Sequence, residues 1–150
     1  MDIARLDNLL LELTDSERAY CAGARYDWND AFRQGQQADI DGRHVRKIGN
    51  AAYALHQEGM PEGLSIVRNS RFNPVPEHVH DYVEISYVYR GSAPQVVNGT
   101  QLTLAQNEVL LLDAACPHAV GELGEHDLML SIVISRPMLR RSLEQSLSST

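Results

Sequence analysis

The chain has 150 residues, of which 43% are hydrophobic and 22% are charged, as is typical of one globular domain. It contains no apolar run near the ~20 residues of a membrane-spanning helix and no secretory signal at its start, and it has only two cysteines, in unlike contexts, so we expect a cytoplasmic protein. Its net charge of −7 disfavours direct binding of this chain to the phosphates of DNA.

The N-terminal segment is predicted to begin with an amphipathic helix over residues 2–13. Apolar residues recur there at three- and four-residue steps, which is the spacing of one helix face: Ile3, Leu6, Leu9, Leu10 and Leu13. The stretch from Thr14 to Glu17 then supplies a capping residue and the acidic first turn of a new helix. We therefore expect a second, short helix over residues 18–22, and both helices are expected to pack on the rest of the domain.

The next part of the chain, up to residue 61, is punctuated by glycine and gives weaker signals. The stretch from Asp39 to Val45 predicts a short hairpin that turns at Asp41-Gly42, and Tyr53-Ala54-Leu55 predicts one more strand. His44 and His56 have no partner at a ligand spacing, so neither is assigned to the candidate site.

From Leu64 onward the pattern becomes that of short β-strands with tight turns. The predicted strands are Leu64–Arg68, about Val79–Tyr89, Gln95–Val97, Gln101–Leu104, Val109–Leu112 and Leu128–Ile134. Asn98-Gly99 is a strong hairpin signal. The stretch Asn69–Pro76 is predicted to be a loop, because Pro74 and Pro76 cannot donate to a ladder.

These elements favour a mainly β fold, a small antiparallel barrel or jelly roll of seven or eight strands with helices at both ends. We expect residues 1–61 to form a helical and irregular segment that packs on the barrel, and residues 62–137 to form the barrel itself. Residues 138–150 are expected to start a C-terminal helix or linker. Leu139, Leu143 and Leu147 have helical spacing there and are candidates for a dimer contact.

The candidate site lies at His78-Val79-His80, followed by Glu84. Side chains alternate between the faces of a strand, so His78, His80 and Glu84 are predicted to project from one face of the strand near residues 79–89. Tyr82 and Ser86 share that face, and His118 is the natural fourth member of the group. Two imidazoles and a carboxylate at one point indicate either a metal site or a polar pocket for a small molecule.

The same residues carry a resemblance to a known fold family. The spacing His78-x-His80-x3-Glu84-x6-Gly91 is similar to the first signature of the cupin β-barrels, and the stretch from Asn107 to His118 looks like a degraded second signature. In that signature Asn107 stands where the family usually has glycine, and the usual glycine between proline and histidine is missing.

A narrower resemblance extends over about residues 62–140. It is carried by Ser70-Arg71-Phe72, Glu84–Tyr89, Val97-Asn98-Gly99 and Leu110–Asp113. In these stretches the chain resembles the N-terminal cupin-like sensing and dimerisation domain of AraC-type bacterial transcription regulators. Regulators of this type carry two helix-turn-helix units after that domain, and nothing of that kind follows Met138. The resemblance therefore implies that DNA is contacted only through a DNA-binding domain absent from this chain.

Two functions from different classes follow from these observations. The first is a homodimeric domain that senses a small polar ligand, a sugar or an organic acid, with His78, His80, Tyr82, Glu84 and His118 as ligand-binding residues. The second is a metal-dependent cupin enzyme of isomerase or oxygenase type, although no catalytic residue is assigned. In either case His78, His80, Glu84 and His118 are candidate ligands of one divalent transition metal: zinc, nickel, iron or manganese.

Overall fold

The computed structural model describes residues 3–25, 27–28, 37–40, 43–47 and 59–148. The helices are α1 (Ile3–Leu11), α2 (Asp15–Cys21) and α3 (Arg136–Ser148). The strands are β1 (Gln37–Ile40), β2 (Arg43–Lys47), β3 (Leu64–Arg68), β4 (Val75–Val79), β5 (Val83–Arg90), β6 (Ser92–Val97), β7 (Thr100–Ala105), β8 (Val109–Leu112), β9 (His118–Val120) and β10 (Leu128–Ile134).

These strands form two sheets, with the order β1-β2-β4-β9-β6-β7 in one and β3-β10-β5-β8 in the other. Neighbouring strands are antiparallel except for β2 and β4, which pair in parallel. The predicted mainly β, cupin-like jelly roll with flanking helices is confirmed, but the strands of the described residues form two sheets that are not closed into a barrel. No helix among the described residues is long and apolar enough to span a membrane.

Several predicted elements are confirmed near their predicted bounds. β1 and β2 form the expected hairpin, with Ile40 opposite Arg43, and the hairpin joins the larger sheet beside β4. The Asn98-Gly99 turn connects β6 to β7, and both of its residues have the positive φ that this two-residue turn requires. The predicted strand Tyr53–Leu55 lies outside the described residues.

The predicted strand over residues 79–89 is wrong as a single element. It consists of two strands in different sheets, β4 and β5, and the bend from His80 to Tyr82 carries the chain between them. The predicted loop is also too long, because β4 already begins at Val75 and includes Pro76. The register between β4 and β9 shifts between Val75 and His78, so a proline with no N–H is tolerated there.

The interior between the sheets has a polar layer and an apolar layer. Along β5, Glu84, Ser86 and Val88 are buried, whereas Ile85 and Tyr87 on the other face are only half-buried. Val88 belongs to the apolar core, with Ala93, Leu104, Val120, Leu123 and Met129. The start of β5, with Glu84 and Ser86, therefore lies where the interior becomes polar.

A buried ionic network attaches the N-terminal helices to the sheets. Thr14 and Glu17 form a capping box at the start of α2, which confirms the predicted cap, although the helix begins at Asp15 and not at residue 18. The Glu17 carboxylate is fully buried, and it accepts from the backbone N–H of Arg71 at 2.8 Å, from Arg71 Nε at 3.0 Å and from Arg68 Nη2 at 2.6 Å. The same guanidinium groups donate to carbonyls at the end of α1, including Leu11 O from Arg71 at 3.1 Å and Glu12 O from Arg68 at 2.6 Å.

The glycine that ends the first signature, Gly91, has a structural role. Its φ of +74° lies in the left-handed region that favours glycine, and an added Cβ would lie 2.1 Å from Asp127 Oδ1. That carboxylate accepts from the backbone N–H groups of Ser92 and Gly124, each at 2.8 Å, and joins the β5–β6 turn to the loop before β10.

We therefore expect Gly91→Ala to lower the free energy of unfolding more than Gly23→Ala does. Urea denaturation measures the difference. Gly23 also has positive φ, but a Cβ there meets no atom within 4 Å, so the matched pair isolates the collision with Asp127. The expected difference is about 1–3 kcal/mol, the usual cost of overpacking. Equal losses in the two variants would contradict this role for Asp127.

Candidate metal and ligand site

Three histidines, two of them only two residues apart in sequence, meet in the polar layer. His78 lies on β4 and His118 on β9, and the two are direct cross-strand partners with ring centroids 4.2 Å apart. His80 lies in the bend after β4, with its ring 4.9 Å from that of His118 and 6.0 Å from that of His78. All three are buried, and their candidate ligand atoms lie within 4.8 Å of one another. His118 therefore lies beside the two histidines of the first motif, and its role as a ligand stays a prediction.

Each of the three imidazoles is held through its Nδ1 atom by a backbone carbonyl. The acceptors are Pro76 O for His78 at 2.8 Å, Tyr82 O for His80 at 2.9 Å and Cys116 O for His118 at 2.9 Å. A carbonyl oxygen can only accept, so the proton in each contact lies on Nδ1 and Nε2 remains as the ligand atom. Metal-binding histidines in proteins are usually oriented by this kind of contact.

Glu84 adds a carboxylate beside the imidazoles. Its Oε2 atom lies 3.3 Å from His80 Nε2, and the Ser86 hydroxyl donates to Oε1 at 3.2 Å. Burial by itself raises the pKa of Glu84, but the contact with His80 and the nearby His118 outweigh burial and hold the pKa at about 2. Glu84 is therefore an anion at neutral pH, although it is buried.

The electrostatics of this cluster fit a cation. Burial is the main cause that lowers the pKa of His78, to about 3, and burial likewise lowers the pKa of His118, so both imidazoles are neutral and able to coordinate. His80 Nε2 is buried without a hydrogen bond of normal geometry, although the Glu84 carboxylate is close. Converging lone pairs and one carboxylate are a donor set that divalent transition metals bind.

Tyr82 and Ser86, the other predicted members of the group, act on the cluster differently. The Tyr82 ring stacks on His80 with a centroid distance of 3.9 Å and an interplanar angle of 9°, so it supports one face of that imidazole. Ser86 is fully buried and orients Glu84 through its hydroxyl. The binding role proposed for Tyr82 stays a prediction.

The sequence reasoning missed Ser131, which belongs to the same polar layer. Ser131 is buried on β10 opposite Ser86, accepts from Asn69 Nδ2 at 2.7 Å, and its hydroxyl lowers the pKa of Glu84. The signal was present, because Ser131 is the one polar residue in the otherwise apolar strand Leu128–Ile134. A hydroxyl at an inward position of a buried strand needs a polar partner.

Comparison with solved structures gave matches at low sequence identity. A conserved protein of unknown function from Streptococcus pyogenes is 17% identical over 51% of this chain and 68% of its own chain, with a TM-score of 0.44. KdgF from Halomonas sp. is 17% identical over 53% of this chain and 86% of its own, with a TM-score of 0.42. A cupin superfamily protein from Desulfitobacterium hafniense is 22% identical over 55% and 73%, with a TM-score of 0.44.

Comparison with curated proteins found no match to the chain. The model of one protein family does match, over residues 67–149, and its description is the AraC-like ligand-binding domain. The match begins within β3, ends beyond α3 and includes His78, His80, Glu84 and His118. Because the matched part is more than half of the 150 residues, the chain belongs to the family of AraC-like ligand-binding domains.

Proposed function

We propose that this chain is the small-molecule-sensing and dimerisation domain of a cytoplasmic AraC-type transcription regulator. Its ligand centre is formed by His78, His80, Glu84 and His118 around one divalent transition metal: zinc, nickel, iron or manganese. The observation that supports this most strongly is the clustering of three buried imidazoles, each held at Nδ1 by a carbonyl and with candidate ligand atoms within 4.8 Å of one another, beside the Glu84 carboxylate.

The other residues of the polar layer would keep this centre in place. Tyr82 supports His80 by stacking, and Ser86 holds Glu84 through a hydrogen bond. When bound, the metal would supply open coordination positions that take oxygen atoms of a ligand. A sugar or an organic acid, the two ligand classes expected from the sequence, offers such oxygens.

A screen by thermal denaturation tests the sensing function. Sugars and organic acids are added, in the presence of nickel, to wild-type protein and to the His118→Ala and His126→Ala variants. We expect at least one compound to raise the melting temperature of wild type and of His126→Ala, whose site is intact, but not of His118→Ala. A shift that is equal in all variants would place the ligand elsewhere, and no shift with any compound would reject the sensing function.

The metal-dependent cupin enzyme is the second candidate, and the donor set itself favours it. Three imidazoles and one carboxylate leave positions free on a metal that prefers five or six ligands, which is what catalysis needs. However, the Ser86 hydroxyl, which lies in the same polar layer, already donates a hydrogen bond to Glu84. This contact makes Ser86 less suited to act on a substrate. Turnover of a screened compound that a chelator abolishes would favour the enzyme over the sensor.

The proposed dimer places α3 at the interface. All 13 residues of α3 are described and none is buried, and Leu143 and Leu147 are 56% and 77% exposed. A helix of this length is only marginally stable without tertiary packing. Leu139, Leu143 and Leu147 recur every four residues, so they form a stripe on which a partner helix can pack.

Sedimentation at micromolar concentration is expected to show a dimer for wild type and a monomer for Leu143→Asp, because the new charge would be buried in the apolar contact. Leu9→Asp is the matched control, since Leu9 is a half-exposed leucine on α1. A wild-type monomer would reject the dimer. A dimer that survives Leu143→Asp would exclude the leucine stripe of α3 as its interface.

A further inference from the structure

Gln95 places a buried amide between the two sheets. It lies on β6 and is 2% exposed, and its Nε2 atom donates to the sulfur of Met129 on β10, in the opposite sheet, at 3.2 Å. A thioether sulfur can only accept a hydrogen bond, so this contact uses the amino side of the amide. The carbonyl oxygen, Oε1, therefore has to find its donor elsewhere.

The Oε1 atom of Gln95 is buried and has no hydrogen-bond partner among the residues that the structure describes. The amino side is only weakly served, because sulfur is a poor acceptor. In contrast, the buried hydroxyl of Ser131, on β10 like Met129, accepts from the Asn69 amide at 2.7 Å. A buried acceptor without a donor costs free energy, so stability alone does not explain why an amide stands at residue 95.

The register of the strands places Gln95 next to the histidine centre. Gln95 on β6 is the cross-strand partner of Val120 on β9. Two residues further along the same pair of strands, Val97 is the partner of His118. Gln95 and His118 are therefore diagonal neighbours on the inner face of one sheet, a separation that a long side chain can bridge. Gln95 is not one of the proposed metal ligands, so its amide can contact a molecule that is bound to the metal.

A carbonyl oxygen that lacks a donor favours ligands that carry one. A sugar or an organic acid, the two ligand classes of the proposed function, would reach the metal through an oxygen atom. A hydroxyl group next to that oxygen can donate to Oε1 of Gln95, whereas an ionised carboxylate can only accept. The amide would therefore distinguish a ligand that has this hydroxyl group from the same ligand without it.

We propose that Gln95 is a specificity-determining residue of the ligand centre, and that its Oε1 atom accepts a hydrogen bond from a hydroxyl group of the bound molecule. The inference rests on the proposed sensing function. It narrows the ligand to a molecule with a hydroxyl group beside its metal-binding oxygen, and it adds to the site a residue that lies outside both histidine motifs.

Thermal denaturation of the protein without ligand tests whether the amide is kept for binding. Gln95→Met removes the amide and keeps a side chain of similar length, so it is expected to raise the melting temperature by about 2–4 °C. Gln101→Met, the matched control on β7, changes an exposed amide and is expected to leave the melting temperature unchanged. Asn73→Leu is expected to lower it, because the buried Asn73 amide donates to Ser70 Oγ at 3.1 Å.

Gln95→Leu is measured beside Gln95→Met, because its smaller side chain guards against overpacking. Melting temperatures of both variants below that of wild type would show that the amide stabilises the fold, and this result would overturn the inference.

Isothermal titration calorimetry of the nickel-loaded protein tests the hydroxyl contact itself. Lactate and propionate differ by one hydroxyl group, and so do glucose and 2-deoxyglucose. In at least one pair, wild type is expected to bind the compound with the hydroxyl group at least about tenfold more tightly. Gln95→Met is expected to lose this preference and Gln101→Met to keep it. The absence of a preference in wild type for both pairs, or an equal preference in Gln95→Met, would overturn the inference.

Nickel binding is measured on the same preparations and reports on the histidine centre separately. Nickel binding without a hydroxyl preference would reject this inference and leave the proposed centre standing. A hydroxyl preference that depends on Gln95 but not on nickel would support the contact and reject the metal part of the proposed function.

Discussion

Replacing His118 by alanine is expected to weaken the binding of nickel or zinc at least about a hundredfold, and replacing His80 is expected to do the same. Each variant removes one of three imidazoles whose candidate ligand atoms lie within 4.8 Å of one another. Removing a residue that only hydrogen-bonds to a metal ligand usually lowers metal affinity about 10–100-fold. The loss should be larger here, because the ligand itself is removed. Titration with each metal, followed by calorimetry, measures the effect.

The control for this prediction is His126→Ala, which removes an exposed histidine outside the cluster. It is expected to leave metal affinity unchanged, and circular dichroism is expected to show that all three variants keep the β-fold. Equal losses in His118→Ala and His126→Ala would show that the metal binds nonspecifically to surface imidazoles. Unchanged affinity in His118→Ala would contradict the proposed centre.

Glu17→Gln is expected to lower the free energy of unfolding by about 3–5 kcal/mol, which is the usual cost of removing one partner of a buried ion pair. The substitution keeps the shape of the side chain but leaves the guanidinium groups of Arg68 and Arg71 without their carboxylate. Glu12→Gln is the matched control, because Glu12 is an exposed carboxylate at the end of α1. Urea denaturation at pH 7 compares the two, and similar small losses would contradict a stabilising role for the network.

The same carboxylate gives the fold a specific acid sensitivity. Burial alone raises the pKa of Glu17, but hydrogen bonds from Arg71 and Thr14 outweigh it and lower the pKa from 4.5 to about 2. Between these two pH values the unfolded chain binds a proton on Glu17 that the folded chain does not. The stability that ionised Glu17 contributes is therefore complete above about pH 4.5 and is lost as the pH falls towards 2. Wild type is expected to lose more stability between pH 5 and 3 than Glu17→Gln does. Parallel pH profiles for the two proteins would contradict this assignment.

The sequence was sufficient to predict that the site residues meet, although the stated reason was partly wrong. The argument from alternation treated His78, His80 and Glu84 as members of one strand, whereas His78 is the penultimate residue of β4, His80 lies in the bend and Glu84 is the second residue of β5. They still converge because the bend joins the two sheets that enclose the polar layer. The alternation of polar and apolar residues is interrupted in the bend only at Asp81, and one polar residue on the apolar face does not by itself mark the end of a strand.

Other parts of the site depend on contacts that no local pattern encodes. The carbonyls that fix the three imidazoles belong to Pro76, Tyr82 and Cys116, and their positions follow from the path of the backbone. The partners Glu17 and Arg71 are 54 residues apart, so their buried pair gives no spacing signal. Most of the strands and hairpins after Leu64, in contrast, were predictable, because their turn residues and alternation are local; the exceptions are β4, which was taken as loop and as part of β5, and the three-residue β9.

X-ray absorption spectroscopy of the nickel-loaded protein tests the central claim most directly, because it reports which atoms surround the metal. The proposed centre predicts one nickel per chain, with three imidazole nitrogens and carboxylate oxygen among its neighbours and no sulfur. Cys116 lies two residues before His118 and is not among the proposed ligands. A sulfur neighbour would therefore show that the metal has a different set of ligands. A spectrum with sulfur, or with fewer than three imidazoles, would contradict the assignment of His78, His80, Glu84 and His118 as the ligand centre.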